Sequence, residues 1–237
     1  MGAGGEGLGR QAGPVKLRFV SAGAANALVM KIAASSGIEV AGSFGAVGAM
    51  LEKFNAGEEC DVVILTRAQI DTLAANGSVA AASVVDLGRA PTSIAVRAGD
   101  PVPQVSDAVT LRQALLAADA IYFPDPERAT AGIHFAKVLD LLGIRDVVAT
   151  RVRTFPNGTT AMKAMGEASG HPIGCTQATE ILAVPSVQLV AALPKGYDLA
   201  TTYTAAVSAK ALDRGDAEAF VRKLGESREA RKAAGFE

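Results

Sequence analysis

Apolar and polar positions along the chain follow a repeating order of short strands and helices. Residues 15–21 alternate between apolar and polar side chains and run into small residues at 22–24, which is typical of a strand ending in a tight loop. A helix-forming stretch at 25–35 and a second strand at 38–44 follow. Residues 61–65 (DVVIL) form a continuous apolar run of the kind buried in parallel sheets. The first third of the chain therefore predicts a β-α-β-α-β series.

The alternation continues to the C-terminus and predicts an α/β protein with doubly wound, mostly parallel sheets flanked by helices. The further predicted helices are 47–54, 67–76, 110–117, 133–142, 159–167, 178–182 and 216–231, and the further predicted strands are 92–97, 120–123, 172–176, 187–193 and 202–208.

Clusters of Pro and Gly at 97–103 and 194–196 are candidate boundaries between two lobes. If the chain crosses near the strand at 92–97 and returns near 202–208, residues 15–92 and 202–237 form lobe 1, and residues 93–201 form lobe 2. The Gly-rich residues 1–14 are expected to be a flexible arm. Because ligands of open α/β sheets bind beyond the carboxyl ends of the strands, we expect a ligand cleft between the lobes.

Composition and charge exclude several classes of partner. The chain has 237 residues, 49% of them hydrophobic, and 23 Lys plus Arg against 24 Asp plus Glu. The formal net charge of −1 provides no basic field for nucleic acid, and no apolar run reaches the roughly 18 residues that a membrane helix needs. Cys60 and Cys175 show no metal-ligand spacing, so we expect two free, buried thiols and neither metal nor cofactor.

Four predicted strand-to-helix loops combine small residues with a hydroxyl or amide: 21–24, 43–48, 130–132 and 157–160. Helix N-termini present unpaired N–H groups and a partial positive charge, so such loops can bind an anion. For any one loop alone, helix capping is the favoured explanation of these residues. Their convergence on one cleft favours binding of a small anionic ligand.

The segments FVSAGAANAL, VAGSFGAVGAMLEKFNAGEECDVVIL, FPDPERATAGIHFAKVLDLLGI and ARKAAGF resemble, in order and spacing, the ModA-like molybdate-binding proteins of ABC importers. The resemblance extends over nearly the whole chain from Lys16. It implies a two-lobed type II periplasmic-binding-protein fold that closes on a small ligand and, as a partner, an ABC permease.

The sequence departs from this family where the oxyanion would bind. Ala24 and Val47 align with serines, and Gln177 aligns with a tyrosine. Without these hydroxyls the chain is similar to the divergent branch that includes aconitate isomerase, which implies a small organic acid as ligand. The residues expected to bind it are Ser21, Gly23, Ala24, Gly45, Ala46, Val47, Arg67, Thr130, Ala131, Gly158, Thr159, Thr160 and Gln177.

Two charged or titratable residues in these loops have competing interpretations. Arg67 directly follows the DVVILT strand, where its guanidinium could bind a carboxylate bidentately, or it could be a solvated residue of the next helix. His134 lies just inside a helix and could move a proton near neutral pH, or it could be a packed or capping histidine.

Three functions remain open at this point. The first is a monomeric solute-binding protein of an ABC importer that takes a small anion bearing carboxylates. The second is an isomerase acting on a tricarboxylate such as aconitate, with His134 or Glu180 carrying the proton. The third is retained binding of molybdate or tungstate. We expect a periplasmic location if a leader was removed and a cytoplasmic one if Met1 is the natural start.

Overall fold

A computed structural model describes residues 15–237, and the predicted arm at residues 1–14 lies outside them. Within that range the chain alternates between strands and helices. The strands are β1 (Lys16–Ala22), β2 (Glu39–Gly45), β3 (Val62–Thr66), β4 (Val85–Arg97), β5 (Ile121–Pro124), β6 (Val152–Phe155), β7 (Ile173–Gln177), β8 (Val187–Ala192) and β9 (Ala200–Val207). The helices are α1 (Asn26–Ser36), α2 (Val47–Asn55), α3 (Arg67–Ala75), α4 (Ala108–Ala117), α5 (Thr130–Leu141), α6 (Arg145–Val148), α7 (Gly158–Gly166), α8 (Ala178–Leu182), α9 (Arg214–Glu226) and α10 (Arg228–Ala233).

Strand β4 belongs to two sheets. Its first half pairs with β9 in a sheet of order β2-β1-β3-β9-β4, and its second half pairs with β7 and β8 in a sheet of order β8-β4-β7-β5-β6. We call the first sheet with its helices lobe 1 and the second lobe 2. The chain thus passes from lobe 1 to lobe 2 along β4 and comes back into lobe 1 along β9.

Each lobe has its own apolar core. Buried side chains between residues 17 and 90 and between 203 and 236 pack together in lobe 1. Two further clusters, drawn from residues 94–193, fill lobe 2. Separate cores are what a two-lobed fold requires, because each sheet must bury its own apolar faces. The exact boundaries at residues 92 and 201 stay a prediction.

The sheets are more mixed than the sequence predicts. Strands β1, β2 and β3 are parallel to one another, as are β5, β6 and β7, but β9 runs antiparallel to β3, and β4 runs antiparallel to β7. Strands β4 and β9 carry the chain between the lobes. Neither is joined to its sheet neighbours by a helix in the usual right-handed β-α-β unit, so these strands can pair antiparallel.

Three element predictions need correction. Strand β4 begins at Val85 rather than at residue 92, because Gly88 and Pro91, which suggest a turn, instead lie within the strand, and the pairing with β9 shifts register next to Gly88. Strand β6 was missed because it is only four residues long with an exposed middle. The predicted helix at 216–231 is two helices, α9 and α10, separated at Ser227.

Cys60 and Cys175 are free and buried, which confirms the prediction for both thiols. In residues 15–237 no helix is long and apolar enough to cross a membrane. The same residues contain no group of three or more His, Cys, Asp or Glu side chains arranged to hold a metal ion.

An ion pair between the half-buried Arg18 and the buried Asp61 ties the amino-terminal end of the lobe 1 sheet to the chain that leaves β9. The Asp61 carboxylate accepts hydrogen bonds from the Arg18 backbone N (2.9 Å), from its guanidinium Nε (3.0 Å) and Nη2 (2.9 Å), and from the Leu212 backbone N (2.8 Å). Burial opposes ionisation of Asp61, but these hydrogen bonds outweigh it and hold its pKa below the usual value.

We expect Asp61→Asn to lower the free energy of unfolding at pH 7 by roughly 2 kcal/mol, because hydrogen bonds to a charged partner are lost. A lowered pKa stabilises the fold above the unfolded-state pKa, and this contribution disappears as the pH falls through the folded-state pKa. The difference between wild type and variant should therefore shrink from pH 7 to pH 3. Urea denaturation measures both values.

Asp140→Asn, which removes an exposed ion pair with Arg145, is the matched control and should have little effect. Equal destabilisation by Asp61→Asn at both pH values would contradict the charge-based explanation.

Candidate functional site

Five loops, each following the end of a strand, meet between the two lobes and leave a cavity of only about 20 Å³, roughly the room for one water molecule. They follow β1, β2, β5, β6 and β7, and β9 closes the floor. Helices α2, α5 and α7 begin at this cleft, so their first-turn N–H groups lack partners within the helix. The lining residues are Ala22, Gly23, Ala24, Gly45, Ala46, Val47, Pro124, Ala129, Thr130, Ala131, Asn157, Gly158, Gln177, Glu180 and Tyr203.

The structure brings most of the residues expected to bind the ligand to this cleft. The predicted residues that line it are Gly23, Ala24, Gly45, Ala46, Val47, Thr130, Ala131, Gly158 and Gln177. Their role in binding stays a prediction, because the geometry alone establishes only that they share one cleft.

Three of the remaining predicted residues lie beside the cleft loops without lining them. Ser21 is fully buried, and its hydroxyl donates to the Ala22 carbonyl oxygen at 3.0 Å. Both the backbone N and the hydroxyl of Thr160 contact the Asn157 side-chain oxygen at 2.9 Å, so Asn157 caps α7. Thr159 is half-buried and is absent from the lining. At Thr160 the capping interpretation therefore accounts for the polar side chain.

Arg67 is also absent from the cleft lining. Its guanidinium lies at the surface of lobe 1 and pairs with Asp71 at 2.8 Å and Asp86 at 2.9 Å. It is the first residue of α3, and the carboxylate of Asp71 one helical turn later holds it along the helix. The surface interpretation of Arg67 therefore agrees with its position.

His134 does not line the cleft either. Its Nε2 lies 2.7 Å from the Tyr197 carbonyl oxygen, within lobe 2. The structural interpretation of His134 as a packed, hydrogen-bonded side chain therefore fits its surroundings.

Sequence reasoning left several lining residues out of the ligand-binding set. Glu180 was considered only as a proton carrier, and Tyr203 carried no signal because it lies inside an ordinary apolar strand. Asn157 belongs to a loop that was recognised, but it reads as a helix cap. Ala22, Pro124 and Ala129 are apolar and line the cleft through their position alone.

Glu180 is the buried carboxylate of the cleft. It lies in the first turn of α8 and is 6% exposed. Its Oε1 accepts a hydrogen bond from the Gly158 backbone N at 3.2 Å, and its Oε2 accepts one from the Thr176 hydroxyl at 2.6 Å. Burial raises the pKa of Glu180, and the hydrogen bonds oppose this without cancelling it.

Gly158 allows this contact because it has no side chain. A Cβ at this position would overlap with the Thr176 hydroxyl and the Glu180 carboxylate. Gly23, at the end of β1, faces the same carboxylate from lobe 1, since a Cβ there would lie 3.1 Å from Oε1. Glu180 therefore reaches the boundary between the lobes.

Gln177 and Tyr203 form the polar floor next to Glu180. The Gln177 Nε2 lies 3.3 Å from the Thr201 hydroxyl on β9, and its Oε1 is buried with no hydrogen-bond partner in the described structure. Tyr203 is 2% exposed, and burial followed by the negative charge of Glu180 raises its pKa. Because the Tyr203 hydroxyl also lies close to the side chains of Gln177 and Thr130, these groups form one polar cluster that can donate to or accept from a ligand.

The lobes touch across the mouth of the cleft. The Gly48 backbone N in α2 donates to the Arg128 carbonyl oxygen at 3.1 Å, and the Arg128 guanidinium lies 3.6 Å from Glu52. A Cβ at Gly48 would lie 3.0 Å from that carbonyl oxygen, so glycine permits this approach. The cleft is therefore closed in this structure.

None of the residues in the cleft lining is Lys, Arg or His. Attraction for an anion must then come from helix N-termini and neutral donors. The amide of Gly158 at the start of α7 is already occupied by Glu180, and the amide of Gly48 in α2 is occupied by Arg128. Of the three helices that begin at the cleft, α5 has no such contact given above for its first residues, Thr130 and Ala131.

A second, larger cavity of about 420 Å³ lies at the opposite end of the lobe 1 sheet. It is lined in part by Arg18, Glu59 and Cys60. Arg18 already pairs with Glu59 and Asp61, and burial raises the pKa of the Cys60 thiol to about 11. An inert thiol and paired charges give this cavity no chemistry that requires a ligand.

The fold and the cleft between lobes define a two-lobed binding protein. Residues 17–237 match the sequence model of the bacterial extracellular solute-binding protein family, and the chain belongs to that family. The ModA-like resemblance of the sequence is thereby confirmed.

Individual relatives agree with this assignment. The chain is 30% identical over 178 residues to an aconitate isomerase of a Pseudomonas species, and the match spans 74% of this chain and 65% of that protein, less than two thirds of its length. The periplasmic molybdate-binding protein of Azotobacter vinelandii has a similar structure, with a TM-score of 0.71, 19% identity and coverage of 93% of this chain and 98% of that one. The sulfate-binding protein of Mycobacterium tuberculosis follows the same fold, with a TM-score of 0.65, 21% identity and coverage of 94% and 86%.

We expect Gly158→Ala to lower the free energy of unfolding by about 1–3 kcal/mol, because the added methyl group must displace the Thr176 hydroxyl and the Glu180 carboxylate. The loss of stability caused by Gly158→Ala should be smaller in a protein that also carries Glu180→Ala, since the effects of substitutions at contacting residues are not additive. Urea denaturation of the two single variants and the double variant gives the coupling.

Gly215→Ala is the matched control. A Cβ at Gly215 has one ordinary contact, 3.8 Å from Asp213, so this change should cost no stability. Equal effects of the two alanine substitutions would mean that the approach of Glu180 to Gly158 does not constrain the cleft.

Proposed function

We propose that the protein binds a small anion bearing carboxylate groups in the cleft between its lobes and delivers it to an ABC importer. The observation that carries the proposal is the convergence of loops from both lobes on one cleft, where helix N-termini and neutral polar groups meet and where the lobes must separate to admit a ligand. Membership of the solute-binding family supports the binding role, and the importer follows from the family resemblance.

The identity of the lining favours a carboxylate over a tetrahedral oxyanion. Ala24 and Val47 line the cleft where the family resemblance places serine hydroxyls. The buried groups that remain, Gln177 and Tyr203, suit a planar acid with several oxygen atoms that reach different parts of the floor. The relative named aconitate isomerase points to the same class of compound.

The test is a thermal-shift and calorimetry screen against molybdate, tungstate, sulfate and di- and tricarboxylates, including both aconitate isomers. A ligand at 100 times its dissociation constant should add about 2.7 kcal/mol of stability. We expect a carboxylate to stabilise the protein. We also expect Gln177→Ala, which removes a buried amide from the floor, to weaken its binding about tenfold at unchanged fold, for loss of one to two hydrogen bonds.

Gln188→Ala is the control, because Gln188 is exposed on β8 and lies outside the cleft lining. Stabilisation by molybdate or tungstate alone would overturn the carboxylate proposal. Unchanged affinity in Gln177→Ala would remove Gln177 from the binding site.

A second candidate function is isomerisation of a small tricarboxylate, favoured by the buried Glu180 in the cleft and by the aconitate isomerase relative. The ionised Glu180 would take a proton from a CH₂ group next to a carboxylate, the double bond would move by one position, and the same proton would return to the far carbon. A carboxyl group with a raised pKa suits this exchange near neutral pH.

NMR of each aconitate isomer incubated with the protein tests this second function. An isomerase should convert either isomer to one equilibrium mixture, and Glu180→Gln should reduce the rate by 100-fold or more, in line with the contribution of a general base. His134→Ala should keep the wild-type rate, since His134 lies away from the cleft lining. Binding of aconitate without conversion would contradict the isomerase function and would support the receptor function.

A further inference from the structure

The Glu180 carboxylate occupies a position where an anionic ligand would otherwise be bound. It accepts from the Gly158 amide, which begins the nine-residue helix α7 at the cleft. A free amide at such a helix end is a ready anion site. In this chain the protein itself supplies the anion.

Among residues 15–237, no cationic side chain lines the cleft around Glu180, and the partial positive charge of the α7 N-terminus is already paired with Glu180 itself. The groups that face it are the Thr176 hydroxyl on β7, the backbone amides of Gly158 and Thr159 on α7 and of Gln177 on β7, Gly23 from lobe 1 and Tyr203 on β9. Tyr203 is the other ionisable side chain in the described cleft lining, and it carries no positive charge. A second negative charge placed beside Glu180 would therefore be repelled without any screening cation.

Two neighbouring buried acids avoid this repulsion by sharing one proton. The proton can come from the ligand, as a hydroxyl or an un-ionised carboxyl, or from solvent, through protonation of Glu180. Burial of Glu180, which raises its pKa, favours the second route.

We propose that Glu180 sets the ligand specificity of the cleft by sharing a proton with the bound anion, which favours ligands carrying a hydroxyl or acid proton over proton-free tetrahedral oxyanions. This inference rests on the proposed binding of a small anion in the same cleft. Molybdate and sulfate carry no proton near neutral pH, so the wild-type cleft binds them weakly there. Among carboxylates the cleft then favours hydroxy acids and acids that keep or take up one proton on binding.

Sulfate is the probe for this inference, because its charge does not change between pH 5 and pH 8. Calorimetry should show wild-type affinity for sulfate falling by about tenfold per pH unit above the Glu180 pKa, since one proton is taken up on binding. Glu180→Gln, which keeps the shape and removes the charge, should bind sulfate independently of pH and at least tenfold more tightly than wild type at pH 8.

Hydrogen phosphate provides a second comparison, because at pH 8 it has nearly the shape and the charge of sulfate but carries one proton. Wild type should prefer phosphate over sulfate by at least tenfold at pH 8, and Glu180→Gln should lose this preference. Glu167→Gln is the control, since Glu167 is exposed at the far end of α7, and it should behave as wild type.

Equal sulfate affinity of wild type at pH 5 and pH 8 would overturn the proposal, and this measurement does not require any variant to fold. A pH slope that persists in Glu180→Gln, or a variant that gains no sulfate binding at pH 8, would overturn it as well. Carboxylate binding without these responses would leave the proposed function intact and remove Glu180 as its selector. If Glu180→Gln gains sulfate binding but the protein binds no carboxylate, the selecting role of Glu180 would stand and the proposed carboxylate ligand would be overturned.

Discussion

The pairing of one long strand with two different sheets is the constraint on which the rest of the structure depends. Strand β4 pairs with β9 in lobe 1 and then with β7 and β8 in lobe 2. The end of β7 at Gln177 and the middle of β9 at Tyr203 are thereby held next to each other at the floor of the cleft. Because β4 and β9 connect the two sheets, they fix the position of one sheet against the other, and the loops of both lobes converge on the cleft.

The same arrangement explains why the chemistry of the cleft comes from buried neutral groups. A floor built from the ends of central strands excludes water, so charged side chains would be costly there without partners. Glu180 is the exception, and its carboxylate is tolerated because the Gly158 amide and the Thr176 hydroxyl satisfy it. The absence of a side chain at Gly158 is thus as much a part of the site as Glu180 is.

Much of the fold was predictable from the sequence, because apolar runs such as DVVIL and small residues at strand ends report directly on burial and tight loops. The loops that line the cleft were predictable for the same reason. The choice between the two interpretations of Arg67, and between those of His134, could not be made from the sequence, since their partners Asp86 and Tyr197 are distant along the chain. Tyr203 and the extension of β4 to Val85 likewise depend on strand pairing, which local pattern does not encode.

A cleft lined without cationic side chains also determines how an anion arrives. Fixed amide dipoles act over a short range, whereas an arginine or lysine would attract an anion from about a Debye length away. If an anion binds in this cleft as proposed, no cationic side chain of the lining directs its approach, and the rate of association should respond little to ionic strength.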